Sequence, residues 1–534
     1  MPKQQASTKF HVLVADAVSE KGIEVLKSSG MNVTVKTGMS PTELAQVIGD
    51  HDGLIVRSAT KVTEEALRNP GRLRVIGRAG TGVDNIDLEA ATRAGVVVMN
   101  TPGGNSVAAA ELTMSLLLSM ARNVPQANSE LREGRWERKK YMGVEVAGKT
   151  LGIVGLGRIG REVARRALGF RMRVLGYDPY VSNKVAADCG VEAMSLEEMV
   201  PQVDFLTLHM PVSEETRHMI DTAMLERMKP GARVINCARG GLIDEAALLK
   251  ALESERIAGA ALDVYEKEPP TDNPLVGHPR VVATPHLGAS TREAQVRVGT
   301  EIAEKIGNYL ESGVILDAVN FPSIDRESFA VLGPVMSLAE RLGCFLGQVV
   351  EGGFHGLEVR AYGTFAEQPL RPIAMAATKG LLSPVVEGGV TYVNSLSRAG
   401  ERGITVEEAR SNEASRFAGL LRLTLKTDKG QATIAGTFFG DGPPRLVEID
   451  GVSIESCPDG QMLFLRNRDV PGVVGAVGSL LGEAKVNIAG IHLGRPEAGD
   501  NALSIINVDS QVPADVLSKI QDLEQILLAR TVSV

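Results

Sequence analysis

A glycine-rich run, Gly155-Leu156-Gly157-Arg158-Ile159-Gly160, joins an apolar stretch to a helical pattern in the first third of the chain. The preceding residues, KTLGIV (149–154), predict a buried strand, and residues 161–168 predict the helix that follows. Glycines permit a tight turn and the close approach of a pyrophosphate, whose charge is stabilised by the free N–H groups at a helix N-terminus. A strand–helix turn without a ligand would contain the same glycines, so the run needs a second signal.

The second signal is Asp178, which ends the next predicted strand, RVLGYD, 18 positions after Gly160. A carboxylate at this place accepts hydrogen bonds from the adenosine ribose hydroxyls of a dinucleotide. It would also repel the 2′-phosphate of NADP. The sequence therefore predicts a dinucleotide-binding Rossmann domain and favours NAD over NADP.

Short apolar runs alternate with helical patterns over the first three hundred residues, which is typical of α/β domains built on doubly wound parallel sheets. Buried strands are predicted at 11–16, 32–35, 53–57, 73–77 and 95–100, and then at 149–157, 173–178, 204–209, 233–238, 259–264 and 280–285. The helical pattern of 291–310 is long enough to lead back across the first unit. We therefore expect one domain inserted in the other: a substrate-binding domain at 1–105 and 291–322, and an NAD-binding Rossmann domain at 106–290.

The pattern changes after residue 322. The sequence becomes rich in glycine and carries turn signals at 427–430 and 440–442, which favour β-hairpins. Residues 323–455 are therefore predicted to form a mixed α/β domain. The C-terminal residues follow the order strand, helix, strand, strand, helix, strand, so 460–534 are predicted to form a ferredoxin-like βαββαβ domain.

Composition argues against several kinds of partner. The net charge is −8 and no basic block stands out, which argues against nucleic acid and against an anionic membrane. The longest mostly apolar stretch seen in the sequence, about 108–121, is too short to cross a bilayer. The four cysteines are scattered without a CxxC pair, so we expect no metal site and no disulfides, and a cytoplasmic protein.

Three reactive side chains follow strands of the second series: Arg239, Glu268 and His286. Ligands of open α/β sheets bind at the C-terminal ends of the strands, so we expect the three to converge beside a nicotinamide. An imidazole can take the hydroxyl proton when hydride leaves a carbinol carbon, a carboxylate can orient the ring, and a guanidinium can hold a substrate carboxylate. Singly, each has an ordinary alternative: a surface ion pair, a solvated loop acid, and a loop residue bonded to backbone.

Six motifs stand in a fixed order: RAGTGVDNIDLEAATRAG (78–95), NTPGGNS (100–106), GLGRIG (155–160), NCARGGLIDE (236–245), ALDVYEKEPP (261–270) and PHLGAS (285–290). With these motifs, residues 10–320 resemble the NAD-dependent D-2-hydroxyacid dehydrogenases. Some members of this family oxidise 3-phospho-D-glycerate to 3-phosphohydroxypyruvate, the first step of the phosphorylated serine pathway. Three stretches are typical of those members: RSATKV (57–62), WERKK (136–140) and PHLGAST (285–291).

This resemblance implies roles for individual residues. His286 is implied to be the acid/base, Glu268 its partner, and Arg239 the group that binds the substrate carboxylate. The resemblance also implies contacts with the cofactor. They are made by the glycine run, with Gly155, Gly157, Arg158, Ile159 and Gly160, and by Asp178, Thr81, Met210, Pro211, Cys237 and Asp263.

A phosphorylated substrate needs further positive charge. Arg57 and Arg78 follow strands of the first unit and are the candidates for the phosphate, with Asn105 and the amides around Ala79-Gly80 for the carboxylate. The resemblance implies that Arg138, in WERKK, reaches the cleft of a neighbouring subunit. A solvated charged helix end is the alternative for that segment.

The C-terminal region carries its own resemblance. NRDVPGVV (467–474) and VNI (486–488) resemble the ACT domain, a small amino-acid-binding module. The resemblance implies an L-serine effector bound by Asn467, Asp469 and Asn487 between paired domains; a plain helix-start turn is the alternative. Residues 323–455 resemble the intervening domain of the longer members, and their apolar helical pattern around 335–346 suits subunit contact in a homo-oligomer, a dimer or tetramer.

The expected function is NAD-dependent oxidation of 3-phospho-D-glycerate. Two alternatives remain. One is a reductase for hydroxypyruvate or glyoxylate, against which the long C-terminal region and the two cleft arginines argue. The other is an NAD-sensing corepressor that binds partner proteins; such proteins can retain the same three reactive residues, although the sequence shows no peptide-docking feature.

Overall fold

Four β-sheets organise the protein, and each is built from its own stretch of the chain. The computed structural model describes residues 10–322, 324, 326–386, 389–411, 413, 416–440, 442–496 and 501–534. The middle of the turn predicted at 440–442 lies outside the described residues.

The first sheet is parallel, with the strand order β2-β1-β3-β4-β5. Its strands are β1 (His11–Val14), β2 (Asn32–Val35), β3 (Gly53–Val56), β4 (Val75–Arg78) and β5 (Val97–Asn100). Its helices are α1 (Glu20–Ser28), α2 (Pro41–Val47), α3 (Glu64–Leu67) and α4 (Leu88–Arg93). Strand β2 was predicted to be buried, but three of its four residues are exposed because it forms the edge of the sheet.

The second sheet is also parallel, with seven strands in the order β12-β11-β10-β9-β6-β7-β8. Its strands are β6 (Thr150–Val154), β7 (Arg173–Tyr177), β8 (Glu192–Ala193), β9 (Phe205–Leu208), β10 (Ala232–Asn236), β11 (Ile257–Leu262) and β12 (Val281–Ala283). The helices in this part of the chain are α5 (Ser106–Ala121), α6 (Val124–Arg132), α7 (Arg158–Gly169), α8 (Asn183–Asp188), α9 (Leu196–Met199), α10 (Thr222–Arg227) and α11 (Glu245–Glu253). The strand order reverses between β6 and β9, which is where sheets of this kind bind ligands.

The long helix α12 (Arg292–Ser312) returns to the first sheet. Its side chains Ile302 and Ile306 lie directly over Gly77 of β4, where a Cβ would come within 2.6 Å of both. Beyond the helix, Val319 donates a backbone hydrogen bond of 2.7 Å to Val98 of β5. The two flanks of the second unit therefore share one apolar core.

The third sheet is mixed, with the order β14-β13-β15-β16-β17-β18. Its strands are β13 (Phe354–Gly363), β14 (Thr405–Ser411), β15 (Gly419–Thr427), β16 (Gly430–Phe438), β17 (Pro444–Ile449) and β18 (Val452–Ser456). Its helices are α13 (Arg326–Val349), α14 (Leu370–Leu382) and α15 (Ser395–Gly400). The turn predicted at 427–430 joins β15 to β16.

Helix α13 packs in the core of its own chain, which accounts for its apolar pattern, and a subunit contact in this region stays a prediction. Leu338, Leu342 and Phe345 are fully buried within the chain. Gly343 lets the helix approach the backbone of Ala377 in α14 so closely that a Cβ would overlap it. By length and composition Glu327–Val349 could cross a membrane, but half of its most apolar window is buried inside the protein.

The fourth sheet is antiparallel, with the order β20-β21-β19-β22. Its elements are β19 (Gln461–Arg468), α16 (Val473–Glu483), β20 (Ile488–Gly494), β21 (Asn501–Val508), α17 (Ala514–Gln521) and β22 (Ile526–Ser533). One face packs on α13, where the rings of Phe345 and Phe464 meet edge to face at 5.5 Å. Helices α16 and α17 cover the other face. The predicted fold class, two parallel-sheet units followed by a mixed sheet and a ferredoxin-like domain, is confirmed.

Candidate active site

The glycine run shapes a site that suits a pyrophosphate. Gly155 has a φ of 97°, and a Cβ there would lie 2.6 Å from the carbonyl oxygen of His209. Helix α7 begins at Arg158, earlier than predicted, and its N-cap Gly157 provides no side-chain cap. Nothing lies within 4 Å of a Cβ built on Gly157. The space beside Gly157, at the start of α7, is therefore open, as the close approach of a dinucleotide requires.

Asp178 lies directly after β7, beside this turn. Its Oδ2 accepts a hydrogen bond of 2.8 Å from the backbone N–H of Leu156, and its Oδ1 accepts one of 2.9 Å from Tyr180. The backbone thereby holds the carboxylate against the glycine run. Because each carboxylate oxygen accepts more than one hydrogen bond, the group keeps capacity for ribose hydroxyls.

A cavity of about 360 Å³ is lined by residues from both parallel-sheet units. The residues expected at the site that line it are Arg78, Thr81, Asn105, Ile159, Met210, Pro211, Cys237, Arg239 and His286. They come from the ends of several strands and from the start of α7, so packing of the two units brings distant parts of the sequence together.

His286 and Glu268 form a hydrogen-bonded pair at this cavity. Nδ1 of His286 lies 2.7 Å from Oε2 of Glu268. This hydrogen bond, opposed by burial, raises the pKa of His286 above its usual value. Burial alone would raise the pKa of Glu268, but the hydrogen bond and charge of His286 outweigh it and hold that pKa below its usual value. A neutral His286 that donates from Nδ1 keeps Nε2 free to accept a proton.

Asp263 holds the loop that presents His286. Its carboxylate is fully buried and accepts hydrogen bonds from the backbone N–H groups of Leu287 (2.7 Å) and Gly288 (2.9 Å) and from the hydroxyl of Thr284 (2.6 Å). His286 itself adopts the left-handed conformation, with a φ of 54°. A non-glycine residue held in this region is stabilised by its surroundings, and the three bonds to Asp263 supply that support.

Two guanidinium groups approach one another in the cavity. Arg239 forms an ion pair with Asp84 (Nε to Oδ2, 3.1 Å) and donates from Nη1 to the carbonyl oxygen of Ala238 (2.7 Å). Burial, together with the charge of Arg239, lowers the pKa of Arg78 to about 10. The Nε of Arg78 is buried and has no hydrogen-bond partner among the described residues. Two neighbouring cations, one with an unused donor, are suited to a ligand that carries negative charge.

Glycines leave room for these two cations. The Arg78 guanidinium lies where a Cβ on Gly80 would be, and the Arg239 guanidinium lies where a Cβ on Gly82 would be. Any larger residue would displace the positive groups. This is a physical reason for the glycines of the stretch RAGTG (78–82).

The remaining walls of the cavity are neutral. Thr81 donates its hydroxyl to Oδ1 of Asn105 at 2.7 Å, and Asn100 donates to the backbone oxygen of Thr81 at 2.5 Å. Burial raises the pKa of the Cys237 thiol to about 12, so it stays protonated near neutral pH. The reacting charges are therefore confined to the His286–Glu268 pair and the arginines with Asp84.

Some expected residues lie elsewhere. Arg57 lines a separate pocket and donates to the carbonyl oxygen of Ala17 at 3.1 Å. Arg138 is exposed, in a short 3₁₀ turn (Arg138–Tyr141), and does not line the cavity of its own chain. Ala79 is buried and does not line the cavity.

The structure also adds residues that the sequence did not single out. His209 lines the cavity; burial lowers its pKa to about 3, and its Nε2 lies 3.0 Å from the hydroxyl of Thr207. Asp84 pairs with Arg239. Both had a signal in the sequence, because His209 ends the predicted strand of 204–209 and Asp84 lies in the motif of 78–95.

The residues expected to bind an effector have partners within the chain. Asn467 is buried and bonds to Ser504 (3.1 Å) and to the carbonyl oxygen of Arg468 (2.8 Å). Asp469 pairs with Arg495 at 3.0 Å. Asn487 donates to Asp509 at 2.6 Å. Within the described ranges, no cluster of three or more His, Cys, Asp or Glu side chains suits a metal ion.

Family models match three successive parts of the chain. They are the NAD binding domain of D-isomer specific 2-hydroxyacid dehydrogenases at 114–288, the D-3-phosphoglycerate dehydrogenase intervening domain at 331–450, and the ACT domain at 461–525. D-3-phosphoglycerate dehydrogenase of Methanocaldococcus jannaschii is 43% identical over 516 residues, which cover 96% of this chain and 98% of the relative. The D-3-phosphoglycerate dehydrogenase of Bacillus subtilis is 38% identical, over 98% of this chain and 99% of the relative. The chain belongs to the D-3-phosphoglycerate dehydrogenase family.

Solved structures match a smaller share of the chain. The TT0316 protein from Thermus thermophilus is 35% identical with a TM-score of 0.54, covering 58% of this chain and 99% of its own. A glyoxylate reductase from Paecilomyes thermophila is 30% identical with a TM-score of 0.54, and the match covers 58% of this chain and 98% of the reductase. The D-3-phosphoglycerate dehydrogenases, in contrast, match nearly the whole chain.

Membership of the D-3-phosphoglycerate dehydrogenase family confirms three predictions. The chain is an enzyme of the D-2-hydroxyacid dehydrogenase class, it has an NAD-binding domain, and its C-terminal region is an ACT domain. The ACT domain indicates binding of a small-molecule effector.

Proposed function

We propose that the protein oxidises 3-phospho-D-glycerate to 3-phosphohydroxypyruvate with NAD, the first step of the phosphorylated serine pathway. The observation that carries the proposal is the cavity, in which the His286–Glu268 pair lies beside the guanidinium groups of Arg78 and Arg239. A phosphorylated 2-hydroxy acid needs a base for its hydroxyl and positive groups for its anionic ends. The cavity supplies both.

The proposed step follows from the hydrogen-bonding pattern. Neutral His286 accepts the C2 hydroxyl proton at Nε2 while its Nδ1–H remains bonded to Glu268, whose charge stabilises the imidazolium that forms. Bound NAD supplies the acceptor for the hydride that leaves C2. Arg239 holds the substrate carboxylate, so that the C2 hydroxyl lies against the imidazole. In the reverse direction the imidazolium returns its proton to the substrate oxygen.

The other assignments complete the proposal. The N-terminus of α7, with Arg158 and Ile159, holds the pyrophosphate, and Asp178 accepts from the ribose. The remaining cofactor and substrate assignments stand as expected from the sequence: Thr81, Met210, Pro211, Cys237 and Asp263 for NAD, and Arg57, Arg78, Ala79, Gly80 and Asn105 for the substrate. The division at 1–105 with 291–322, 106–290, 323–455 and 460–534 is also part of the proposal.

Substrate preference tests the function directly. NADH formation is measured with 3-phosphoglycerate, D-glycerate and D-lactate, and NADH consumption with hydroxypyruvate and glyoxylate. We expect kcat/KM to be at least about 100-fold higher for 3-phosphoglycerate than for D-glycerate, since hydrogen bonds to charged groups are worth about 1.5–3 kcal/mol each. A preference for hydroxypyruvate or glyoxylate would establish the reductase alternative. That alternative is tested because a glyoxylate reductase is among the similar solved structures.

A pH profile tests the His286–Glu268 pair. Oxidation needs neutral His286, and the hydrogen bond to Glu268 raises the pKa of His286, so the oxidative rate rises with pH through that raised value. Glu268→Gln removes the charge that favours the imidazolium. The rising limb of kcat/KM is therefore expected to move to lower pH, while the maximal rate falls because the imidazolium loses its partner. A profile that is flat between about pH 6 and 9, or a limb that does not move, contradicts the assignment.

We further propose that L-serine is the effector of the ACT domain, held by Asp469 and Asn487, with Asn467 as the third assigned residue. Isothermal titration of the full-length protein should detect L-serine binding at millimolar concentration. Asp469→Ala should abolish it, because the carboxylate pairs with the ligand ammonium group. Asp515→Ala, which removes an exposed ACT-domain carboxylate paired with Lys519, should leave it unchanged. No binding to the unaltered protein refutes the proposal.

The proposed setting is a cytoplasmic homo-oligomer, a dimer or tetramer. Four large apolar side chains are exposed on and after α6: Val124, Leu131, Trp136 and Met142. Such a grouping is typical of a subunit contact. Arg138 lies in the same segment, so a contact there would bring it to a neighbouring chain, as the WERKK motif implies.

A further inference from the structure

A second pocket, of about 870 Å³, opens beside the active-site cavity. It is formed by the start of α1, the start of α12 and the residue after β3. Its lining residues are Ser19, Glu20, Lys21, Arg57, Ser290, Thr291, Arg292, Gln295 and Val296. Ala289, which precedes the Ser290 of this pocket, lines the active-site cavity, so the two spaces are adjacent along the chain.

The charge of this outer pocket is positive. Lys21, Arg57 and Arg292 line it, against the single carboxylate of Glu20. Among the ion pairs formed within the described ranges, none involves Lys21, Arg57 or Arg292. Three cations that form no ion pair with a described residue, in a chain whose net charge is −8, are a local concentration of positive charge.

The position of two of these cations is unfavourable for the helices that carry them. Lys21 is the second residue of α1, and Arg292 is the first residue of α12. A cation in the first turn lies at the positive end of the helix dipole, where basic side chains destabilise the helix. Glu20 and Glu293 lie in the same first turns and offset part of this cost. A bound anion would offset it further, which adds to the argument from the charge of the lining.

Arginines line both the outer pocket and the active-site cavity, and two of them lie at the ends of neighbouring strands. Val56 of β3 lies opposite Arg78 of β4, so Arg57 comes directly after the neighbour of Arg78. Arg78 and Arg239 in turn line the inner cavity with His286. Positive charge therefore runs from the outer pocket to the reacting group, as expected of a surface that guides an anion inward.

We propose that Lys21 and Arg292 form an outer phosphate subsite, which captures the phosphomonoester dianion of the substrate before the carboxylate reaches Arg239. This inference rests on the proposed function and deepens it. The two residues act on substrate capture; the hydride and proton transfers take place at His286. We assign the phosphate dianion to this pocket because Lys21 and Arg292 carry positive charge on flexible side chains, which can reach several phosphate oxygens.

The test is the double variant Lys21→Gln/Arg292→Gln. For 3-phosphoglycerate we expect kcat/KM to fall about tenfold, mainly through KM, and its decrease with added salt to become shallower. For D-glycerate, which lacks the phosphate, we expect a loss of less than about twofold. The matched control is Lys27→Gln, which neutralises an exposed lysine in the last turn of the same helix α1 and should leave both substrates unaffected.

Equal losses on the two substrates, a loss confined to kcat, or no loss would each overturn the subsite. Titration calorimetry with inorganic phosphate as the probe separates this inference from the proposed function. If the unaltered protein fails to oxidise 3-phosphoglycerate, the proposed function is wrong, whereas phosphate binding that weakens in the double variant still supports the subsite. Phosphate binding that is the same in both proteins refutes it.

Discussion

Asparagine in place of His286 lowers kcat for oxidation of 3-phosphoglycerate by about 10³-fold, the middle of the range for loss of a general base. The reason is that the other histidine lining the described cavity cannot carry the hydroxyl proton: burial lowers the pKa of His209 to about 3, so its ring is a weak base near neutral pH. Asparagine keeps a polar group near Glu268 but cannot accept and carry the proton. Steady-state rates of NADH formation at saturating NAD measure the effect.

The matched control is His218→Asn. His218 also has a positive φ, of 52°, and its Nε2 lies 3.0 Å from Oε1 of Glu266, so it forms a second histidine–glutamate pair. It does not line the cavity. We expect kcat to stay within about twofold in this variant, as for a surface substitution. Retention of more than a tenth of kcat in His286→Asn would refute the acid/base assignment.

Replacing Arg239 with glutamine has the second-largest expected effect. We expect kcat/KM for 3-phosphoglycerate to fall by at least about 100-fold, because two charge-assisted hydrogen bonds of about 1.5–3 kcal/mol each are lost. Loss of carboxylate orientation should lower kcat as well as raise KM. The kcat/KM of Arg239→Lys should lie between those of the unaltered protein and Arg239→Gln, since lysine keeps the charge but not the planar two-point geometry.

Arg280→Gln is the control for this variant. Arg280 forms an ion pair with Glu255 on the surface and lies outside the cavity. The variant therefore loses an arginine–carboxylate pair of the same kind without altering the site, and its kcat/KM should stay within about twofold of that of the unaltered protein. If Arg239→Gln kept more than a third of kcat/KM, the carboxylate role would have to be assigned to Arg78 instead.

The local signals in the sequence were sufficient for most of the architecture. Apolar runs predicted the strands of both parallel sheets except β8, because their hydrophobic pattern and turn residues are contiguous in the chain. The two residues of β8, Glu192 and Ala193, form no apolar run. The glycine run predicted the turn into α7 for the same reason. The prediction of a buried β2 was wrong, since β2 is an exposed edge, because neighbours from elsewhere in the sequence decide what covers an element.

The candidate site was predicted in part. Arg239 and His286 line one cavity as expected, but Arg57 lies in the adjacent pocket. Asp263, expected as a cofactor contact, forms three hydrogen bonds that hold the His286 loop. His286 itself takes the left-handed conformation, which the sequence analysis did not predict. Hydrogen bonds between residues more than twenty positions apart leave no periodic signal in a sequence.

The sequence by itself determined the family, the order of strands and helices, and the residue types available for chemistry, because motifs and hydrophobic periodicity are local properties. It singled out His286 and Glu268 by their place after predicted strands, whereas the second histidine–glutamate pair, His218 with Glu266, is seen only in the structure. Only the tertiary structure decided that His286 faces the cavity, that Arg78 approaches Arg239 from 161 residues away, and that Lys21 and Arg292 share one pocket. These are distances between remote residues, and they are set by the packing of one sheet and helix layer against another.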